Sequence, residues 1–124
     1  MNKNIERFLC SFFRIFNAHI EEINIVGSKA IGLVVYEDNS GEQYFSWDIS
    51  NIHMIAKGIK LLDYIIANKL SIGDKLSPSR INLTNSLINI GWNESEVIDT
   101  IDFLLSTKID MLDNGEKTDS FFIH

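Results

Sequence analysis

The sequence predicts an α+β fold, with an N-terminal helix and β-hairpin packed on a C-terminal half of three helices plus a second β-hairpin. Three observations carry this: an apolar stripe at helical spacing near the start, two stretches of strand character separated by turn residues, and two helix-capping signatures in the second half. At 124 residues with 45% hydrophobic content and one proline, the chain has enough apolar surface for one core and too little length for two. It is therefore expected as a single domain over 1–124, with a helix-plus-hairpin unit at 1–50 and a second unit at 51–124.

Ile5, Phe8, Leu9, Phe12, Phe13, Phe16, Ile20 and Ile23 recur every three or four residues, the spacing of one helix face. The first helix is predicted from about Asn4 to Ile23, its Phe side chains in the core. Ala30 to Tyr36 is almost wholly apolar, Asn39-Ser40-Gly41 supplies a turn, and Tyr44 to Ile49 alternates, which predicts a hairpin. Because both faces of its first strand are apolar, cover on two sides is expected. Trp47 and Tyr44 fall on opposite faces.

Ser50 or Asn51 is placed to cap a second helix that buries Ile52, Ile55, Ala56, Ile59, Leu62, Ile65 and Ile66 and ends near Asn68 or Lys69. Ser77 caps a third, with Pro78 at the first helical position, where its missing N–H costs nothing; Gly91 stops it. Asn93 and Glu96 have the spacing of a capping box and open a fourth helix, buried through Val97, Ile101 and Leu104. Trp92 is expected to fill the gap between the third and fourth helices. Asn114-Gly115 predicts a tight turn between Ile109–Leu112 and Ser120–Ile123.

From Ile52 onward the order helix, link, helix, tight turn, helix, hairpin resembles a winged helix, with the fourth helix in the place of the DNA reader. Gly73-Asp74-Lys75-Leu76 followed by Pro78 and Arg80 is similar to the opening motif of GntR-type regulators. Gly91, Val97, Ile101, Leu104 and Ile109 then match that family's spacing for the turn, the reader's buried face and the first wing strand. The likeness covers about half the chain and bears on fold. Three features depart from it: the serine and proline after Leu76 are reversed, the helix before Gly91 is about one turn longer, and the reader's polar head is Asn93-Glu94-Ser95-Glu96 where the family places Ser, Arg and Thr.

Charge sharpens that last departure. From Asn93 to His124 the chain has eight acids (Glu94, Glu96, Asp99, Asp102, Asp110, Asp113, Glu116 and Asp119) against Lys108 and Lys117, so this stretch holds the whole net charge of −6. A carboxylate at contact distance from a phosphate costs about 1 kcal/mol in water and more when desolvated. Phosphate binding needs Lys or Arg, and Arg80 and Lys108 are the cations nearest in sequence. A basic protein partner is therefore expected at these eight acids, with no nucleic acid and no membrane. Glu37, Asp38 and Glu42 form a secondary patch.

Local explanations cover part of the charge: capping and the helix dipole account for Glu94 and Glu96, and an acidic surface aids solubility. A two-residue turn would pair Asp113 with Glu116 and Asp110 with Asp119, like-charge pairs that destabilise a hairpin unless a cation is supplied.

The remaining motifs exclude more than they suggest. His19, His53 and His124 have no ligand spacing, Cys10 is the only cysteine and is expected to be buried, and no GxSxG elbow or glycine-rich phosphate loop is present. No catalytic residue, metal or cofactor is predicted. A lone cysteine, no export signal and no long apolar run fit a reducing, cytoplasmic setting. In size, acidity and lack of catalytic residues the chain resembles immunity proteins of bacterial polymorphic-toxin and contact-dependent growth inhibition systems. That resemblance implies a non-enzymatic inhibitor that covers the active site of a basic toxin, such as a nuclease. The alternatives are a winged-helix transcriptional regulator binding DNA through Lys57, Lys60 and Lys69, and an adaptor domain in a larger assembly.

Overall fold

The computed structural model describes residues 2–38, 40–113 and 116–122, with residue 2 and residues 113–122 given by their backbone. The chain runs α1 (Asn2–Ile15), β1 (Ala18–Val26), β2 (Lys29–Tyr36), β3 (Glu42–Asp48), α2 (Ile55–Asn68), α3 (Pro78–Asn89), α4 (Glu94–Ser106), β4 (Lys108–Asp113) and β5 (Glu116–Phe122). The strands form one antiparallel meander in the order β1-β2-β3-β4-β5, into which α2, α3 and α4 are inserted between β3 and β4.

The expected first helix is cut short. It ends at Ile15, and Asn17, at φ 55°, turns the chain back into β1. The apolar spacing that continued the helical pattern has another origin. Ile20 pairs with Val34 and Glu22 with Leu33, so Glu21 is an extra residue in a β-bulge. One inserted residue turns the two-residue repeat of a strand into the three-residue step from Ile20 to Ile23, both of which pack on the core. The bulge also brings the Glu22 carbonyl oxygen against the α-carbon of Gly32, where a side chain would collide with it and meet the Phe45 ring at 2.8 Å.

One sheet face is covered. Ala30, Val34, Phe45, Trp47, Ile109 and Met111 point into the core, where α1 meets them through Phe8 on Trp47 (ring centroids 5.2 Å apart) and Phe13 on Phe45 (5.1 Å). The opposite face is open, contrary to the expected two-sided cover: Ile31 and Tyr44 are exposed there, and Val35 and Leu112 half-buried. The apolar character of β2 on this side is thus left at the surface, with Leu33 shielded between its register neighbours Glu22 of β1 and Tyr44 of β3. Trp47 and Tyr44 do separate, at 2% and 57% exposure.

The helix ends follow the local signals in most places. Ser77 Oγ accepts the Arg80 N–H at the start of α3, Lys69 closes α2 in the left-handed conformation, and Asn93 with Glu96 forms a complete capping box on α4. The start of α2 differs. A 3-10 turn at Ile52–Met54 precedes it, Asn51 makes no side-chain cap, and Ile52 and Ala56 are exposed while Leu61 is buried. Trp92 is half-buried against the core, with Lys57 Nζ of α2 5.6 Å from its ring centroid. Three helices and a hairpin do follow in the expected order, but β4 pairs with β3, so the hairpin extends the N-terminal sheet. One core cluster draws on residues from both sides of position 50. The expected Asn114-Gly115 turn lies outside the described residues, as does Ile123.

Gly32→Ala should lower the unfolding free energy by about 1–3 kcal/mol, because the new methyl must displace backbone in the bulge. A lower urea midpoint at unchanged slope is the expected reading. An unshifted midpoint would mean that the β1–β2 contact yields freely.

Candidate functional site: the outer face of the fourth helix

Helix α4 is built to present one face. Val97, Thr100, Ile101, Phe103 and Leu104 are buried, which fixes its rotation, and Glu94, Ser95, Ile98, Asp99 and Asp102 are consequently turned to solvent. Asp99 and Asp102 are adjacent on this face, and Ile98, 50% exposed, lies beside them. Among the described residues no ion pair engages Glu94, Asp99 or Asp102.

Glu96 is used differently. Its Oε1 accepts the Asn93 N–H at 3.2 Å, Asn93 Oδ1 accepts the Glu96 N–H at 2.8 Å, and its other oxygen pairs with Lys57 of α2. This carboxylate joins the N-terminus of α4 to α2 and is withdrawn from the open face.

The acids of the second hairpin divide again. Asp110 is half-buried in β4, opposite Ser46 on one side and Ser120 on the other. The expected pairing of Asp110 with Asp119 is not formed, because a register shift between Met111 and Leu112 sets Asp119 opposite Met111. Asp113 is opposite Glu116, as expected. The side chains of Asp113, Glu116 and Asp119 lie outside the described residues.

In the secondary patch, hydrogen bonds from Ser40, side chain first and then backbone N–H, hold the Asp38 carboxyl below its usual range. Glu42 is exposed. Glu37 belongs to a cluster that the helical reading of residues 18–23 concealed: His19 Nε2 is 2.9 Å from Glu21 Oε1, and its Nδ1 is 2.9 Å from Glu37 Oε1. A neutral imidazole can donate to one carboxylate alone, so this arrangement favours the charged ring. The His19 pKa is raised accordingly, by the hydrogen bond to Glu21 first and that to Glu37 second.

The cations that DNA binding would need are partly committed. Arg80 Nε donates to the Ile72 carbonyl at 3.0 Å and Nη2 to that of Gly73 at 2.8 Å, so this side chain pins the link before α3. Lys57 is held by Glu96 and Trp92. Cys10 is exposed rather than buried, since it falls on the outer stripe of α1 with Arg7 and Arg14. Partial desolvation first, and the charge of Glu6 second, raise its thiol pKa, which disfavours the nucleophilic thiolate. Among the described residues no group of three or more His, Cys, Asp or Glu side chains is placed to hold a metal ion, and no helix is long and apolar enough to cross a membrane.

A hollow of about 690 Å³ adjoins the acidic face, between α3, α4 and the link at Gly73. Val97, Ile98, Ile101 and Leu105 give it an apolar wall, Glu94 and Asp102 border it on α4, and Lys75 and Arg80 stand at its α3 end. Sequence reasoning missed this feature. Its only signal was Ile98, an apolar residue on the polar side of an otherwise amphipathic helix.

Two outcomes follow. Glu96→Ala should destabilise the fold by about 0.5–1 kcal/mol through loss of the Lys57 pair and the reciprocal cap; an unchanged thermal midpoint would show that neither interaction holds α4. A His raised above its usual pKa of 6.5 contributes stability that is full below that value and lost as pH rises through the folded pKa. An NMR titration should place the His19 midpoint above 6.5, with Glu21→Gln or Glu37→Gln moving it back. An unperturbed midpoint in the parent chain would remove the cluster. Compared with protein-family models, curated proteins and solved structures, the chain matches none.

Proposed function

We propose that the protein is a non-enzymatic binding protein that engages a basic protein partner through the outer face of α4, with Glu94, Asp99 and Asp102 as the contacting carboxylates. The observation that carries this reading is their exposure on a helix whose opposite side is anchored in the core. Carboxylates held on a rigid element steer a cationic partner over distance and pair with it at contact without reorganising. The sequence's general resemblance to immunity proteins makes a basic toxin, such as a nuclease domain whose phosphate-binding cleft the acids would occupy, the leading partner class.

The succession of α2, α3 and α4 before β4 and β5 supports reading the second half as a winged-helix-like unit whose reader helix has lost its phosphate contacts. Arg80 and Lys57 are spent on internal partners, and α4 offers carboxylates where DNA offers phosphates. Duplex binding is disfavoured on both counts. Glu96 has a structural role, Asp110 lies in β4 apart from the α4 face, and the side chains of Asp113, Glu116 and Asp119 lie outside the described residues.

The test is a calorimetric titration against a basic protein that co-purifies with the chain, with duplex DNA at low salt as the comparison. Asp99→Lys and Asp102→Lys should each weaken protein binding about ten-fold or more and flatten its salt dependence. Unchanged affinity in both variants would overturn the proposal, and tight, salt-sensitive duplex binding would favour the regulator.

A further inference from the structure

The hollow beside the acidic face has a chemistry that the carboxylates alone do not explain. Ile98 of α4, 50% exposed, and the half-buried Leu105 line it together with the buried Val97 and Ile101. A concave surface that holds a half-exposed apolar side chain among charges offers apolar area that an occupant would remove from water.

The shape restricts the occupant. Two of its walls are helices, whose backbone N–H and C=O groups are satisfied within each helix, and in the link the Ile72, Gly73 and Asp74 carbonyls already accept from Arg80 and Ser77, so an added strand would find no ladder to join. A groove between two helices accepts the side-chain ridge of a third. On α4 the lining runs from Glu94 to Leu105, about 16 Å at 1.5 Å per residue, the length of about three turns of a partner helix, while α3 contributes Arg80 and Thr84.

Charge selects its composition. The charge that α4 brings to the groove is all negative, from Glu94 and Asp102, while Asp74, Lys75 and Arg80 on the other side leave one cation in excess there. We infer that the α3–α4 groove receives an amphipathic basic helix of the partner, with apolar side chains set against Ile98 and Leu105 and cations beside Glu94 and Asp102. This rests on the proposed basic partner and adds which element of that partner is recognised.

Two synthetic peptides of equal Lys and Leu content test it, one with leucines at i, i+3, i+4 and i+7 and the other with the same residues scrambled so that no apolar face forms. Binding is followed by amide NMR shifts on the full chain. The amphipathic peptide should bind at least about ten-fold more tightly than the scramble, shift Thr84, Ile98, Ile101 and Leu105, and lose most of that advantage in Ile98→Ser, an exposed substitution that leaves the core intact. Equal binding of both peptides, with shifts at Glu94, Asp99 and Asp102, would overturn the groove while leaving the basic-partner reading standing. Binding of neither would contradict both. Shifts confined to Ile31 and Tyr44 would place the contact on the open sheet face, and self-association abolished by Ile98→Ser would assign the groove to a second copy; either result overturns the proposal.

Discussion

The Phe8 ring ties the layers together. It is fully buried, stacks on Trp47 of β3, lies 5.4 Å from Phe103 of α4 and 6.1 Å from Phe12, and presses on Gly58 of α2, where even a methyl group would come within 3.0 Å of it. Four elements far apart in sequence thereby share one contact. Buried aromatics add geometric preference to the area they remove from water, so this junction fixes how α4 is rotated as well as where it lies. Phe103 points inward at it, and Asp99 and Asp102 point outward as a result. The acidic face is a consequence of the aromatic core.

Signals confined to a few residues were legible in the sequence. Ser77-Pro78 and Asn93 with Glu96 satisfy backbone groups within one helical turn, and the spacing of Phe8, Phe12 and Phe13 reports one helix face wherever that helix is placed. The two errors of pattern share a cause. Ile20 and Ile23 looked helical because Glu21 is bulged out, and Asp110 was paired with Asp119 although a register shift beside Met111 intervenes. A bulge adds one residue to one strand only, and the three-residue step it leaves in the side-chain pattern is also a step of the helical repeat. The open face of β2 was hidden for a different reason, since an apolar residue at the centre of a sheet resembles one covered by another layer.

The acidic excess of the second half was plain from composition, but its deployment depends on tertiary neighbours. Glu94 and Glu96 are two residues apart on the same helix turn, yet one is free at the surface while the other bridges α4 to Lys57. That difference is set by the position of α2, which no local pattern specifies. His19 with Glu21 and Glu37 was concealed in the same way, because it exists only once β1 is a strand beside the β2–β3 turn.

The central claim is that Glu94, Asp99 and Asp102 meet the cations of another protein. Zero-length carbodiimide coupling, which joins a carboxylate to a lysine amine only in contact, tests this most directly when followed by peptide mass spectrometry of the coupled pair. The account predicts bonds from these three side chains to lysines of a single basic protein, suppressed by high salt. Coupling from Glu37 and Glu42 alone, or only to lysines of the same chain, would contradict it.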